Sequence, residues 1–99
     1  MTISSSMKKQ FRTIGHNLKP VVTVAGNGLS ENVLAEMNRA LEDHELIKVK
    51  IAITERESRK AVCEGIQSKC KAELIQEIGK VALFYREARQ PDTQKSNVR

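Results

Sequence analysis

Val21-Val22-Thr23-Val24-Ala25-Gly26-Asn27-Gly28-Leu29-Ser30, running on into Glu31–Leu41, is the stretch whose reading decides the fold. The β-branched run Val21–Val24 favours a half-buried strand. Ala25-Gly26-Asn27-Gly28 reads as a tight turn, because Asn and Gly tolerate positive φ. Ser30 is placed to cap a helix whose apolar positions Val33, Leu34, Met37 and Leu41 fall on one face. A glycine turn leading into a helix presents backbone N–H groups and the positive end of the helix dipole, which suits an anion.

On the N-terminal side, Met7, Phe11, Ile14 and Leu18 recur at helical spacing. They predict a first helix over Ser6–Asn17, preceded by a frayed segment, 1–6. Pro20 keeps Lys19 out of the α region. On the C-terminal side, Ile47, Val49, Ile51 and Ile53 alternate with Leu46, Lys48, Lys50 and Ala52. That alternation predicts a strand with one buried face and one wet, basic face. Thr54-Glu55-Arg56-Glu57 has the form of a capping box, with Thr54 as cap. The helix it opens is expected to bury Val62, Ile66 and Cys70 and to end near Lys71. Leu74–Ile78 and Val81–Arg86, joined by Gly79-Lys80, fit a two-residue type II′ hairpin. Past Glu87 the chain is polar and aperiodic, so 87–99 is expected to be a flexible tail. The expected fold is α/β (a two-layer α+β domain over 7–86) in the order α-β-α-β-α-β-β. Its mixed four-stranded sheet should have part of one face left open.

At 99 residues with 39% hydrophobic content, the chain can build one modest core. No apolar run approaches the roughly 20 residues of a membrane span, and Met1–Gln10 has no secretory-signal character. The expectation is a cytoplasmic protein, read as a monomer. The net charge of +5 is unevenly placed. Residues 1–20 hold Lys8, Lys9, Arg12 and Lys19 and no acid. Residues 21–45 hold Arg39 against Glu31, Glu36, Glu42, Asp43 and Glu45. A basic side of this kind suits a polyanion. Cys63 and Cys70 are seven apart in a helical pattern. They therefore stand roughly 10 Å apart along the axis, beyond the reach of a disulfide, and reduced thiols are expected.

Catalysis finds no footing in the sequence: no paired carboxylates, nucleophile elbow or phosphate loop occurs. His16 and His44 read as junction residues. Neither a metal set nor a cofactor motif is present, so no catalytic, metal or cofactor site is expected. The residues able to converge on a polyanion are Lys19, Gly26, Asn27, Gly28, Lys48, Lys50, Lys80 and Arg86, with Lys8, Lys9 and Arg12 extending the footprint. The scarcity of aromatic residues argues against recognition by stacked bases and leaves backbone and shape recognition. A different class of function, a protein-interaction adaptor, would dock a basic partner through the acidic helix 31–45.

His16–Val22, Gly28–Glu31, the run His44-Glu45-Leu46-Ile47-Lys48-Val49-Lys50, and Ile78-Gly79-Lys80 with Tyr85-Arg86 resemble the YhbY-type RNA-binding proteins. These are the stand-alone bacterial form of the CRM domain (chloroplast RNA splicing and ribosome maturation). The resemblance covers about residues 7–86. It implies a compact domain similar to the C-terminal domain of translation initiation factor three. It also implies RNA binding on precursors of the large ribosomal subunit. Lys48, Lys50, Lys80 and Arg86 match family positions. The family's GxxG loop falls on Ala25–Gly28, with Ala25 in place of the first glycine. That replacement matters if the position needs positive φ or close backbone approach.

Overall fold

The computed structural model describes residues 3–99. Along the chain run α1 (Ser5–His16), β1 (Pro20–Val24), α2 (Glu31–His44), β2 (Leu46–Ile51), α3 (Arg56–Cys70), β3 (Glu73–Ile78) and β4 (Val81–Tyr85). The expected element order holds. The strands form one mixed sheet in the order β1-β2-β4-β3. β1 lies parallel to β2, while β4 is antiparallel to both β2 and β3. The hairpin thus inserts its second strand into the middle of the sheet. Composition explains why: Val81-Ala82-Leu83-Phe84-Tyr85 is uncharged and almost wholly buried. Glu73-Leu74-Ile75-Gln76-Glu77-Ile78 is polar enough to stand at an edge. Gly79 turns the hairpin at φ 57°, as the first central position of a type II′ turn requires.

α2 and α3 cover one face of the sheet. Val24, Met37, Leu41, Val49, Ile66 and Phe84 are sealed there. Ser30 caps α2, its Oγ accepting from Val33 N at 3.3 Å. α1 covers only one end of the opposite face, where Phe11 packs with Ile3, Leu46, Ile75, Leu83 and Tyr85. The Phe11 and Tyr85 rings stand 4.6 Å apart. Alternation therefore misplaces Leu46: expected on the wet face, it is fully buried because α1 lies over it. Met7, expected in the α1 stripe, is 37% exposed.

α1 comes this close because residue 15 is glycine. A Cβ there would overlap the Leu83 side chain, which is itself buried. Gly15→Val should destabilise the protein by about 1–3 kcal/mol, the usual cost of overpacking. Urea unfolding checks this, and an unchanged midpoint would show that α1 does not need the close approach.

The start of α3 departs from the sequence reading. Its cap residue is Glu55 rather than Thr54, and no side chain caps the helix. Glu55 instead accepts from Ser58 Oγ at 2.7 Å. The preceding turn is held by Arg59, whose Nη1 donates to the carbonyls of Ile53 and Thr54 at 2.9 and 2.6 Å. The guanidinium fixes the turn through its carbonyls, and no side chain accepts from the N–H groups that a capping box would have satisfied. The buried face of α3 is Cys63, Ile66 and Cys70, with Val62 only half-buried. Both cysteines carry free thiols. Burial, reinforced by Glu77, pushes Cys63 up to about 11, and burial raises Cys70 as well.

Composition suggests a flexible segment at each end, and the structure gives both segments partners. Residues 1 and 2 lie outside the described residues, but Ile3 is buried and Ser4 Oγ caps α1 by accepting from Met7 N at 3.2 Å. The segment 87–99 folds back over the α2–β2 junction. Its anchor is Glu45, which is fully buried at φ 64°. The Glu45 carboxylate accepts from Ala88 N, from Ser96 Oγ and from the Arg99 guanidinium, whose Nε is 2.5 Å away. These donors, Arg99 first, outweigh the cost of burial and hold Glu45 down at about 2. His44 Nδ1–H donates to Lys95 O at 2.8 Å, and Asn97 Nδ2 donates to Leu46 O at 2.7 Å. The tail looked free because the group that organises it is a single carboxylate more than forty positions upstream.

Candidate nucleic-acid interface

β1 and β2, being parallel, end at the same end of the sheet, and the β3–β4 turn joins them there. Val24 pairs with Ile51, and Thr23 with Lys50. Ile51 N donates to Lys80 O at 2.6 Å, and Ala52 N to Val24 O at 2.7 Å. The glycine loop after β1, Lys50 and Lys80 therefore share one end of the sheet. Lys48 stands on the same strand face as Lys50, roughly 7 Å back along β2. Lys50 is exposed and Lys48 half-buried.

The loop itself is a turn closed by Gly28 N donating to Ala25 O at 2.9 Å. Gly28 takes φ 70°, which requires glycine. Ala25 is not among the residues at positive φ, so its Cβ is accommodated in place of the family's first glycine. A Cβ added at Gly26 would meet nothing within 4 Å. The Gly28 N–H is already used. Those of Gly26 and Asn27 have no acceptor among the described residues, and both residues are exposed. At the α2 N-terminus Ser30 Oγ takes the Val33 N–H, and Glu31 puts a negative charge in the first turn. An anion here would be held by the loop and the lysines rather than by the helix end.

Not every candidate joins this corner. Lys19 precedes Pro20, whose register partner is Lys48, so it flanks the middle of β2. Lys9 and Arg12 lie exposed on α1, and Lys8 is half-buried there. They sit toward the end where Phe11 meets Tyr85, away from the glycine loop. Arg86 is a correction to the expected set. It follows Tyr85, the partner of Leu46 at the start of β2, which puts it roughly 20 Å from Lys80 along β4. Its Nη1 donates to Asn38 Oδ1 at 2.7 Å and to Cys70 O at 2.9 Å, and its Nη2 to Asn38 O at 3.0 Å. It ties α2 to the end of α3. From sequence it looked like one more exposed cation because its acceptors are a side chain and two carbonyls on distant elements.

Two cations at the corner were missing from the expected set. Arg56 and Arg59 open α3 and line a shallow cleft with Gly79 and Glu77. The sequence did contain the signal. A helix that follows a parallel strand begins at that strand's C-terminal end, where ligand sites of α/β sheets gather.

A CRS1 / YhbY (CRM) domain model matches residues 3–86. The chain is 51% identical over 98 residues to a probable RNA-binding protein of Pseudomonas aeruginosa, covering 99% of this chain and 94% of that one. It is 46% identical to an RNA-binding protein of Haemophilus influenzae, covering 87% and 88% of the two chains. The solution structure of a candidate RNA-binding protein of Staphylococcus aureus superposes with a TM-score of 0.78 at 28% identity, covering 90% of this chain and 93% of that one. Fold, loop and sequence thus agree, and the chain belongs to the CRS1 / YhbY (CRM) domain family.

Proposed function

We infer that this protein binds RNA. The observation that carries the reading is the meeting of a bare-backbone glycine loop with Lys50 and Lys80 at one uncovered end of the sheet. The Gly26 and Asn27 N–H groups would take one phosphate, and Lys48, Lys50 and Lys80 its neighbours. Lys19 extends the track along β1, and Lys8, Lys9 and Arg12 extend it over α1. The names of the Pseudomonas and Haemophilus relatives support an RNA partner. We propose further that the RNA is ribosomal and that a cytoplasmic monomer acts as an assembly factor on precursors of the large subunit, as family resemblance implies. The alternative of an adaptor docking through the acidic helix is less favoured. Glu42 is engaged by Arg89 N and Gln90 N, and Glu45 is buried beneath the tail.

Sedimentation of cell extracts tests the proposal. The protein should travel with large-subunit precursors and be released by RNase; association that survives RNase would favour the adaptor. The loop has its own test. Gly26→Ala should leave the melting temperature unchanged, because its Cβ meets open space. It should weaken RNA binding several-fold, because the methyl stands where a phosphate approaches. Undiminished affinity would remove Gly26 from the contact.

A further inference from the structure

We propose that the uncovered half of the sheet's α1 face receives an unpaired RNA nucleotide, its base lying in the aliphatic groove between Pro20, Ile78 and Val81 and its two flanking phosphates at Lys48 and Lys50. The proposal rests on the RNA-binding reading and specifies which form of RNA the site takes.

The groove exists because α1 stops short. His16 ends that helix beside Pro20 and Lys48. Beyond it the face is bare: Val21 is 48% exposed and Ile78 is 67% exposed. Ile78 belongs to neither core cluster. The hollow encloses about 350 Å³ over Val81 and Leu83, within the roughly 300–1,000 Å³ of small-ligand clefts.

Charge complementarity selects the occupant. Lys48 lines the groove and no carboxylate does, while Lys50 stands beside it on the same strand face. A purely apolar partner would leave those ammonium groups without counter-charges. A duplex would present phosphates but no base face to the aliphatic floor. An unpaired nucleotide supplies both, and the polar groups of His16 and Gln76 border the hollow where a base edge would lie. Lys50 also connects the groove to the glycine loop, through its pairing with Thr23. One strand of RNA can therefore run from loop to groove. The three aromatic side chains are all buried. The base contact is accordingly aliphatic, and the lack of exposed rings does not exclude it.

The test compares a short single-stranded RNA of random sequence with an abasic ribose-phosphate strand of equal length, using fluorescence anisotropy and the full chain. The wild type should bind the base-bearing strand about tenfold more tightly. Ile78→Ser, at an exposed position that should not disturb folding, should reduce that ratio to about twofold while leaving the abasic affinity unchanged. Equal wild-type affinity for the two strands would overturn the base-binding groove and leave phosphate binding intact. Absence of binding to either would overturn the RNA-binding reading itself. If the RNA-free protein sediments as a dimer that Ile78→Ser dissociates, the groove belongs to a second copy of the chain and the proposal fails.

Discussion

The Lys48→Glu/Lys50→Glu variant should bind RNA about a hundredfold more weakly in roughly 0.1 M salt. Each phosphate neutralised by a lysine releases condensed counterions. At that ionic strength the release favours binding by about a factor of ten per contact, and two contacts multiply. Charge reversal adds repulsion to the loss. The slope of log affinity against log salt should fall by about 2. Stability should change little, because neither lysine takes part in an ion pair among the described residues. Filter binding across a salt series, with the melting temperature as control, gives the answer. An unchanged slope would show that the phosphates lie elsewhere.

Glu45→Gln should lower stability by about 3 kcal/mol at neutral pH. The carboxylate of Glu45 titrates at about 2 in place of its ordinary 4.5, and by linkage that difference equals the stabilisation its charge provides. The sign is that of a depressed acid. The contribution is complete above about 4.5 and is lost as pH falls toward 2. Wild type and variant should therefore differ fully at pH 7 and converge in strong acid. Trypsin offers an independent readout. Arg89 and Lys95 lie in the segment that Glu45 holds, so cleavage there should accelerate in the variant at the mildly alkaline pH where trypsin works. A pH-independent difference between the two proteins would mean that the Glu45 charge is not what fastens the tail.

Much of the fold was legible because it is written in local periodicity. The strand–turn–helix of Val21–Leu41, the alternation of Ile47–Ile51 and the Gly79-Lys80 hairpin each depend on residues a few positions apart, and each folds as read. The phosphate-facing candidates were legible in part for the same reason. Gly26, Gly28 and Lys50 are tied together by one strand, one turn and one parallel register. Where the sequence misled, the deciding partner was remote. Leu46 is buried by a helix thirty residues earlier, Arg86 is held by Asn38 and Cys70, and the tail is held by Glu45.

By itself the sequence determined the elements, their order and the side of the chain that carries positive charge, since propensity, spacing and capping act within a turn or two. Only the tertiary structure decided which cations stay free and which strand takes the middle of the sheet. The same holds for how far α1 reaches and for whether the last thirteen residues hang loose or fold back. Those outcomes depend on which buried donors and acceptors find each other across the fold. A chain read in one dimension shows the groups but not their pairing.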